Sequence, residues 1–286
     1  REWTAGIVGV FKGVIALDGK TARGSKDGVA SPLHLVSAYA TSLKLSLGQE
    51  GAAGKGNELN AIRALLNTLV LQGCIVTIDA LGCQTDVAAT IVERGGDYVL
   101  AVKNNQQTLS EAITDFFDTA EAYAYRAIDA QTTASVEKDH GRIETRRAVL
   151  VTDVSWLPPS MRSAWAYLGA VGMIETTQEI GETVSIDRRY FIASTGVKTV
   201  GDFAQAVRAH WGVEAMLWVL DVTFREDGCR VRKDHAARNL SAIRKIALAV
   251  LRMDSRHADR SLRRRRKLAD NRPHYRAELL GITPLP

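Results

Sequence analysis

The sequence lacks any apolar run of the roughly 18 residues that a bilayer-spanning helix needs, although 46% of its 286 residues are hydrophobic. Its opening stretch, "REWTAGIVGVFKGVIALDGK", does not read as a secretory leader. The apolar part runs straight into Asp18 and Lys20 with no small-residue cleavage pattern. Because the chain opens at Arg1 and not at Met, a preceding segment is expected. Cysteine is scarce: Cys74, Cys83 and Cys229 form no CxxC pair, so neither a metal knuckle nor a disulfide framework is available. So few thiols, odd in number, suit a reducing cytoplasm and read as buried structural residues. Internal repeats are absent as well.

What is present is charge, unevenly placed. The net charge is +5, but residues 225–276 hold 17 Lys and Arg against 6 Asp and Glu, a local +11 that leaves −6 elsewhere. Such asymmetry points to a polyanion partner, with a solvated basic helix face or tail as the plainer alternative.

Periodicity gives the order of elements. "GVIALDG" (13–19), "LHLVSAYAT" (33–41) and "LKLSLGQE" (43–50) read as three close strands, an antiparallel meander. Leu59, Ile62, Leu65, Leu66 and Leu69 keep helical spacing, with Gly73 as the stop. "CIVTID" (74–79) is a buried strand, "QTDVAATIVERGG" a helix, and "DYVLAVKNNQ" (97–106) another strand, giving βββαβαβ. Residues 124–196 look β-rich, with Pro158-Pro159 and Gly181 as breaks. Helices return in "TVGDFAQAVRAHWGVEAMLWVL" and in 237–254, where Leu240, Ile243, Ile246, Ala247 and Val250 form an apolar stripe. The last segment is basic and poor in apolar residues.

Two of the strands end in an acid, Asp18 and Asp79. One such Asp is usually a turn former. Two on neighbouring strands would place like charges at one sheet edge, where a cation must offset them. Oxygen ligands of this kind suit Mg²⁺ or Mn²⁺, and a third carboxylate would complete a two-metal site for phosphodiester displacement. Glu214 is the candidate. It lies among Trp211, Met216, Leu217 and Trp218, with Asp221 two turns further on and nearly the same face. The plain alternative is an ion pair with Arg208 or Arg225. "HGRIETRRA" (140–148) presents His140, Arg142, Arg146 and Arg147 around Glu144, either as phosphate contacts or as a solvated strand.

"IALDGKTARGS", "TIDALGCQTDVAATIVERGGDYVLAVKNNQ", "HGRIETRRA", "RYFIAS" and "HWGVEAMLWVLDVTFREDGCRVRKDHAARNLSAIRKIAL" occur in that order. Together, from about Gly13 to Met253, they resemble the ISAs1-type, H-repeat-associated insertion-sequence transposases of the DDE class. The resemblance implies an α/β, RNase H-like core of mixed sheet and flanking helices, with a β-rich insertion before the last catalytic helix. The corresponding division is 1–123 for the first part of the core, 124–197 for the insertion, 198–254 for the catalytic and following helices, and 255–286 for the basic end. It implies DNA cleavage and strand transfer with Mg²⁺ or Mn²⁺ held by Asp18, Asp79 and Glu214. It also implies a DNA channel lined by Lys20, Arg23, Lys103, Asn105, Gln106, His140, Arg142 and His210, with phosphate contacts from Arg230, Arg232 and Lys233. The partners implied are terminal inverted repeats, target DNA and further copies of the chain, and the compartment is the bacterial cytoplasm. Three departures stand out. Ala215 replaces the usual Asn, no His precedes Trp218, and Asn104 stands where Gly is usual. The segment after Glu214 is one residue short, so Glu214 and the Trp218–Asp221 block are expected about 100° out of their mutual register. A DNA-binding remnant without catalysis and an RNase H-like nuclease stay open as alternatives.

Overall fold

Alternation in the strands decides how the layers form. In β1 (Gly13–Thr21), Ile15 and Leu17 join one apolar cluster while Val14 and Ala16 join two others on the opposite face. Successive side chains in a strand point to opposite faces, so this sheet must be covered on both sides. The computed structural model describes residues 11–26, 32–52, 55–139 and 141–282.

β2 (His34–Ala40) and β3 (Leu45–Ala52) complete the antiparallel meander. α1 (Glu58–Leu66) then leads to β4 (Cys74–Ile78), α2 (Thr85–Glu93) to β5 (Asp97–Val102), and α3 (Gln107–Ala122) to β6 (Ala130–Asp139) and β7 (Arg142–Val151). A short α4 (Pro159–Ala164) precedes β8 (Leu168–Ile180) and β9 (Thr183–Ser194). The chain closes with α5 (Val200–Val222), α6 (Ala236–Met253), α7 (Leu262–Asn271) and α8 (Pro273–Leu279). The nine strands among the described residues form one sheet in the order β3-β2-β1-β4-β5-β9-β8-β7-β6. β4 runs parallel to both β1 and β5, and β9 joins β5 antiparallel. The strands of the β-rich segment therefore extend the sheet that begins with the βββαβαβ unit. Among the described residues no helix is long and apolar enough to cross a membrane.

One face of the sheet carries the largest cluster, where Ile62, Leu65 and Leu66 of α1, Val87 and Ile91 of α2 and Ile113 and Phe117 of α3 are buried. The other face is covered mainly by α5. Phe203 and Ala206 pack on β1, β5, β7 and β9, and Val213, Met216, Leu217 and Leu220 pack on Ala16, Tyr39 and Leu248. Thr199 starts α5: its hydroxyl accepts the Asp202 N–H at 3.1 Å, the N-cap arrangement that satisfies an otherwise orphan donor.

Several local expectations change. α1 stops at Leu66 and not near Gly73, because the chain closes tight turns onto Leu65 and Leu66. α3 was not anticipated, although Leu109, Ile113 and Phe117 keep helical spacing, and β6 falls within the β-rich segment without having been singled out. Pro159 is the first residue of α4, where its missing N–H costs nothing. The stripe on α6 is not the buried face: Ile243 and Ile246 are 58% and 48% exposed, whereas Ser241, Lys245, Leu248, Ala249 and Leu251 are buried. Polar partners set that rotation. The Lys245 ammonium donates to Ser37 Oγ at 2.7 Å and to Gln49 Oε1 at 2.6 Å. The basic end is helical, and its Arg265 is buried with its guanidinium on the carbonyls of Leu251, Asp254 and Arg260. Cys74 and Cys83 are buried and Cys229 is half-buried; all three are free thiols.

Candidate active site

Strand parity and register put the first two acids together. Leu17 of β1 lies opposite Ile78 of β4 in a parallel pairing, so Asp18 and Asp79 follow at the same level. Each is one step beyond a residue of the α1–α3 cluster, and so shares the parity of the residues facing α5. Gly19 allows the close packing behind Asp18, since a Cβ there would fall 1.8 Å from Glu58 Oε1 and 2.6 Å from His34 Nε2. Asp79 leaves β4 and caps a single 3-10 turn, Ala80–Gly82, accepting the Gly82 N–H at 3.4 Å. Glu214 comes from the middle of α5.

Asp18, Asp79 and Glu214 line one cavity of about 950 Å³. Asp18 is half-buried, whereas Asp79 and Glu214 are exposed. Burial pushes the Asp18 carboxyl up to about 7. The negative charges of Asp79, Glu214 and Glu58 add to the rise, against the Gly19 N–H, which favours the anion. Glu214 is also raised, by burial first and by Asp79, with Arg189 acting in the opposite sense. His210 stands on the same wall. Its Nδ1 is 3.1 Å from Thr77 Oγ1, and burial keeps its pKa below the ordinary imidazole range, so the ring is neutral near neutral pH. None of the ion pairs between described residues engages Asp18, Asp79 or Glu214. Three carboxylates that repel one another and enter no ion pair are the donor set of a hard divalent ion. As the side chains stand, no group of three Asp, Glu, His or Cys among the described residues is disposed to hold an ion. The donors fit in kind.

The remaining candidates divide. Lys103 and Asn105 line the cavity with His210. Arg23 is 84% exposed and 3.8 Å from Asp227. Arg230 and Lys233 are exposed, and Arg232 reaches the Gly24 carbonyl at 3.4 Å. His140 lies outside the described residues. Lys20 is not presented to the cavity: its ammonium is taken up by Asp221, by Glu226 at 3.0 Å and by Asp227 at 3.5 Å. Asp221 is thus committed to Lys20, and Arg208 pairs with Glu137 at 2.5 Å, so neither Glu214 nor Asp221 uses the pairing with Arg208 considered from sequence. Asn105 and Gln106 donate to backbone carbonyls of the turn after β4. In "HGRIETRRA", Glu144 is buried between Arg142, at 3.2 Å, and Arg146. Arg147 pairs with Glu121 and Glu175.

Sequence reading missed Arg189 and Glu58. Arg189 lines both the carboxylate cavity and an adjoining groove floored by Arg142, Glu144 and Arg146, and lies 5.5 Å from the Trp211 ring. Its only signal was its place as the first residue of "RYFIAS". Glu58 was given no role from sequence.

β1 runs on to Thr21, so Asp18 sits within its strand and not at its end as expected, while Asp79 follows the last residue of β4. A sheet of this order, with two acids level on adjacent parallel strands and a third on the covering helix, defines the RNase H-like α/β class. Within that class the chain belongs to the transposase DDE domain family, whose model matches residues 10–250. It is 38% identical over 277 residues to "H repeat-associated putative transposase YhhI" of Escherichia coli (strain K12), covering 94% of this chain and 72% of that protein. It is 37% identical over 274 residues to "Putative transposase YncI" of Escherichia coli O157:H7, covering 94% and 69%. The family acts on DNA and uses divalent metal.

Proposed function

We propose that this chain cleaves and joins the DNA of an insertion sequence, with Asp18, Asp79 and Glu214 as the carboxylates that hold Mg²⁺ or Mn²⁺. One observation carries the reading: two acids at the same level on adjacent parallel strands, facing the helix that supplies the third, with a large cavity between them. Ions bound there would activate the attacking water or 3′ hydroxyl and stabilise the leaving oxygen of a phosphodiester. The protein's own groups prepare the site. Asp18 at the half-buried floor and Asp79 and Glu214 at the open sides concentrate negative charge that only a cation relieves. Lys103 and Arg189 offer cationic contacts to a phosphate in the same cavity. Arg142 and Arg146 continue that surface into the adjoining groove, steadied by the buried Glu144. His210, held by Thr77, gives the wall a neutral imidazole. Arg23, Arg230 and Lys233 add exposed charge for a duplex. The substrate is the terminal inverted repeats and target DNA, the acting form an assembly of copies, the compartment the bacterial cytoplasm, and 124–197 the insertion of the core.

The test is Mg²⁺-dependent nicking and joining of DNA carrying the repeats that flank the gene. Loss of both in Asp18→Asn and Asp79→Asn supports the reading; retention in either refutes it. The exposed cations Arg23, Arg230 and Lys233 could meet a duplex without any metal, which supports a second reading, a DNA-binding remnant; it predicts salt-sensitive DNA retention with no cleavage at any divalent concentration.

A further inference from the structure

We propose that Asn105 and Gln106 are positioning residues for Asp79, acting through the turn that follows β4; this rests on the reading of Asp79 as a metal ligand. Asp79 lies outside the ladder of β4, which ends at Ile78. Its place is fixed by one short 3-10 turn, whose own bonds are Gly82 N–H to Asp79 O at 3.0 Å, Cys83 N–H to Ala80 O at 3.1 Å and Gln84 N–H to Gly82 O at 2.9 Å. Short 3-10 pieces have poor hydrogen-bond geometry and hold little by themselves. Gly82 seats the turn on Ile78, since a Cβ there would fall 2.2 Å from Ile78 Cγ2.

The second support comes from the neighbouring strand. β5 runs parallel beside β4, so the loops that follow both strands emerge at one sheet edge. From the loop after β5, the Asn105 side-chain amide donates to Ala80 O at 2.5 Å. The Gln106 amide donates to Cys83 O at 3.0 Å and to Gln84 Oε1 at 3.5 Å. The two amides thus fasten both ends of the turn that Asp79 caps. Each amide has a donor engaged on a backbone carbonyl of the turn, which places both residues to orient a ligand carboxylate. Outer partners of this kind set ligand orientation, and their loss typically weakens a metal site about 10- to 100-fold.

The test uses Asn105→Leu and Gln106→Met, which remove the donors with little change of volume and no added charge. Two readouts are taken on the whole chain without DNA: hydrogen exchange at the Gly82, Cys83 and Gln84 amides, and Mn²⁺ affinity from electron paramagnetic resonance titration. The expected result is faster exchange confined to the turn, a melting temperature close to wild type, and Mn²⁺ binding weakened about 10-fold or more. Unchanged exchange overturns the proposal, and so does faster exchange with unchanged Mn²⁺ affinity. A wild type that binds no Mn²⁺ refutes the carboxylate reading instead, and the exchange measurement then decides the positioning of the turn alone.

Discussion

Asp18→Asn should make the protein more stable while removing a proposed catalytic carboxylate. Burial pushes the Asp18 carboxyl up to about 7 in the folded chain from its ordinary 3.8. A group whose folded pKa is raised contributes stability below its unfolded pKa and loses it as pH rises through the folded value. With those two values, linkage puts the cost of ionised Asp18 at about 4 kcal/mol near pH 8 and about 2 kcal/mol near pH 5. The substituted amide carries no charge, and its oxygen can accept the same Gly19 N–H, which now binds the carboxylate at 2.8 Å. In chelator, thermal unfolding followed by circular dichroism should show the variant melting of order 10 °C higher near pH 8. The gap should narrow towards pH 5. Added Mn²⁺ should narrow it from the other side, because an ion that binds the folded wild type stabilises it by mass action. Equal melting temperatures near pH 8 in chelator, or a variant less stable at both pH values, would refute this electrostatic account of the cavity.

Four other outcomes follow from particular contacts. Lys20→Ala leaves Asp221, Glu226 and Asp227 facing one another and should cost about 3 kcal/mol in urea unfolding, partly restored by adding Asp221→Asn. Burial lowers the Lys245 ammonium to about 8. Between that value and its ordinary 10.5 the unfolded chain holds the extra proton, so stability should rise with pH by at most about 1.4 kcal/mol per unit. Lys245→Met should flatten that slope. Gly82→Ala drives a methyl into Ile78 and should cost roughly 1–3 kcal/mol, with weaker Mn²⁺ binding. Arg23→Ala and Lys103→Ala should each reduce the salt dependence of DNA retention by about one phosphate contact without changing the melting temperature.

The first half of the fold was legible because its signals are local. Short β-branched runs end at Asp18 and Asp79, and the helices between them keep 3.6-residue spacing, so βββαβαβ and the adjacency of the two acids follow from pattern and topology. Glu214 was reached through its aromatic surroundings and the family's motif order. Its exposure was not anticipated, because the apolar residues beside it, Met216 and Leu217, turn the other way onto β1 and β2. Tertiary partners decided what pattern could not. Lys245 faces inward because Ser37 and Gln49 wait there, which overrides the apolar stripe through Ile243 and Ile246. Lys20 looked like a phosphate contact until Glu226 and Asp227, more than 200 residues away in sequence, were placed around it. Arg189 and Glu58 enter the site only through sheet register and the packing behind Gly19. The segment from Glu214 to Trp218, expected to be one residue short of the family's pattern, is continuous helix, with Glu214 on the cavity and Asp221 on Lys20.

Metal ligation by these carboxylates is tested most directly by exchanging ligand softness. Asp79→Cys replaces a hard oxygen with a thiolate, which Mg²⁺ tolerates poorly and Mn²⁺ accepts better. In a strand-cleavage assay on DNA carrying the flanking repeats, the variant should be inactive in Mg²⁺ and recover cleavage in Mn²⁺, with wild type active in both. Full Mg²⁺-dependent cleavage by Asp79→Cys would contradict the assignment.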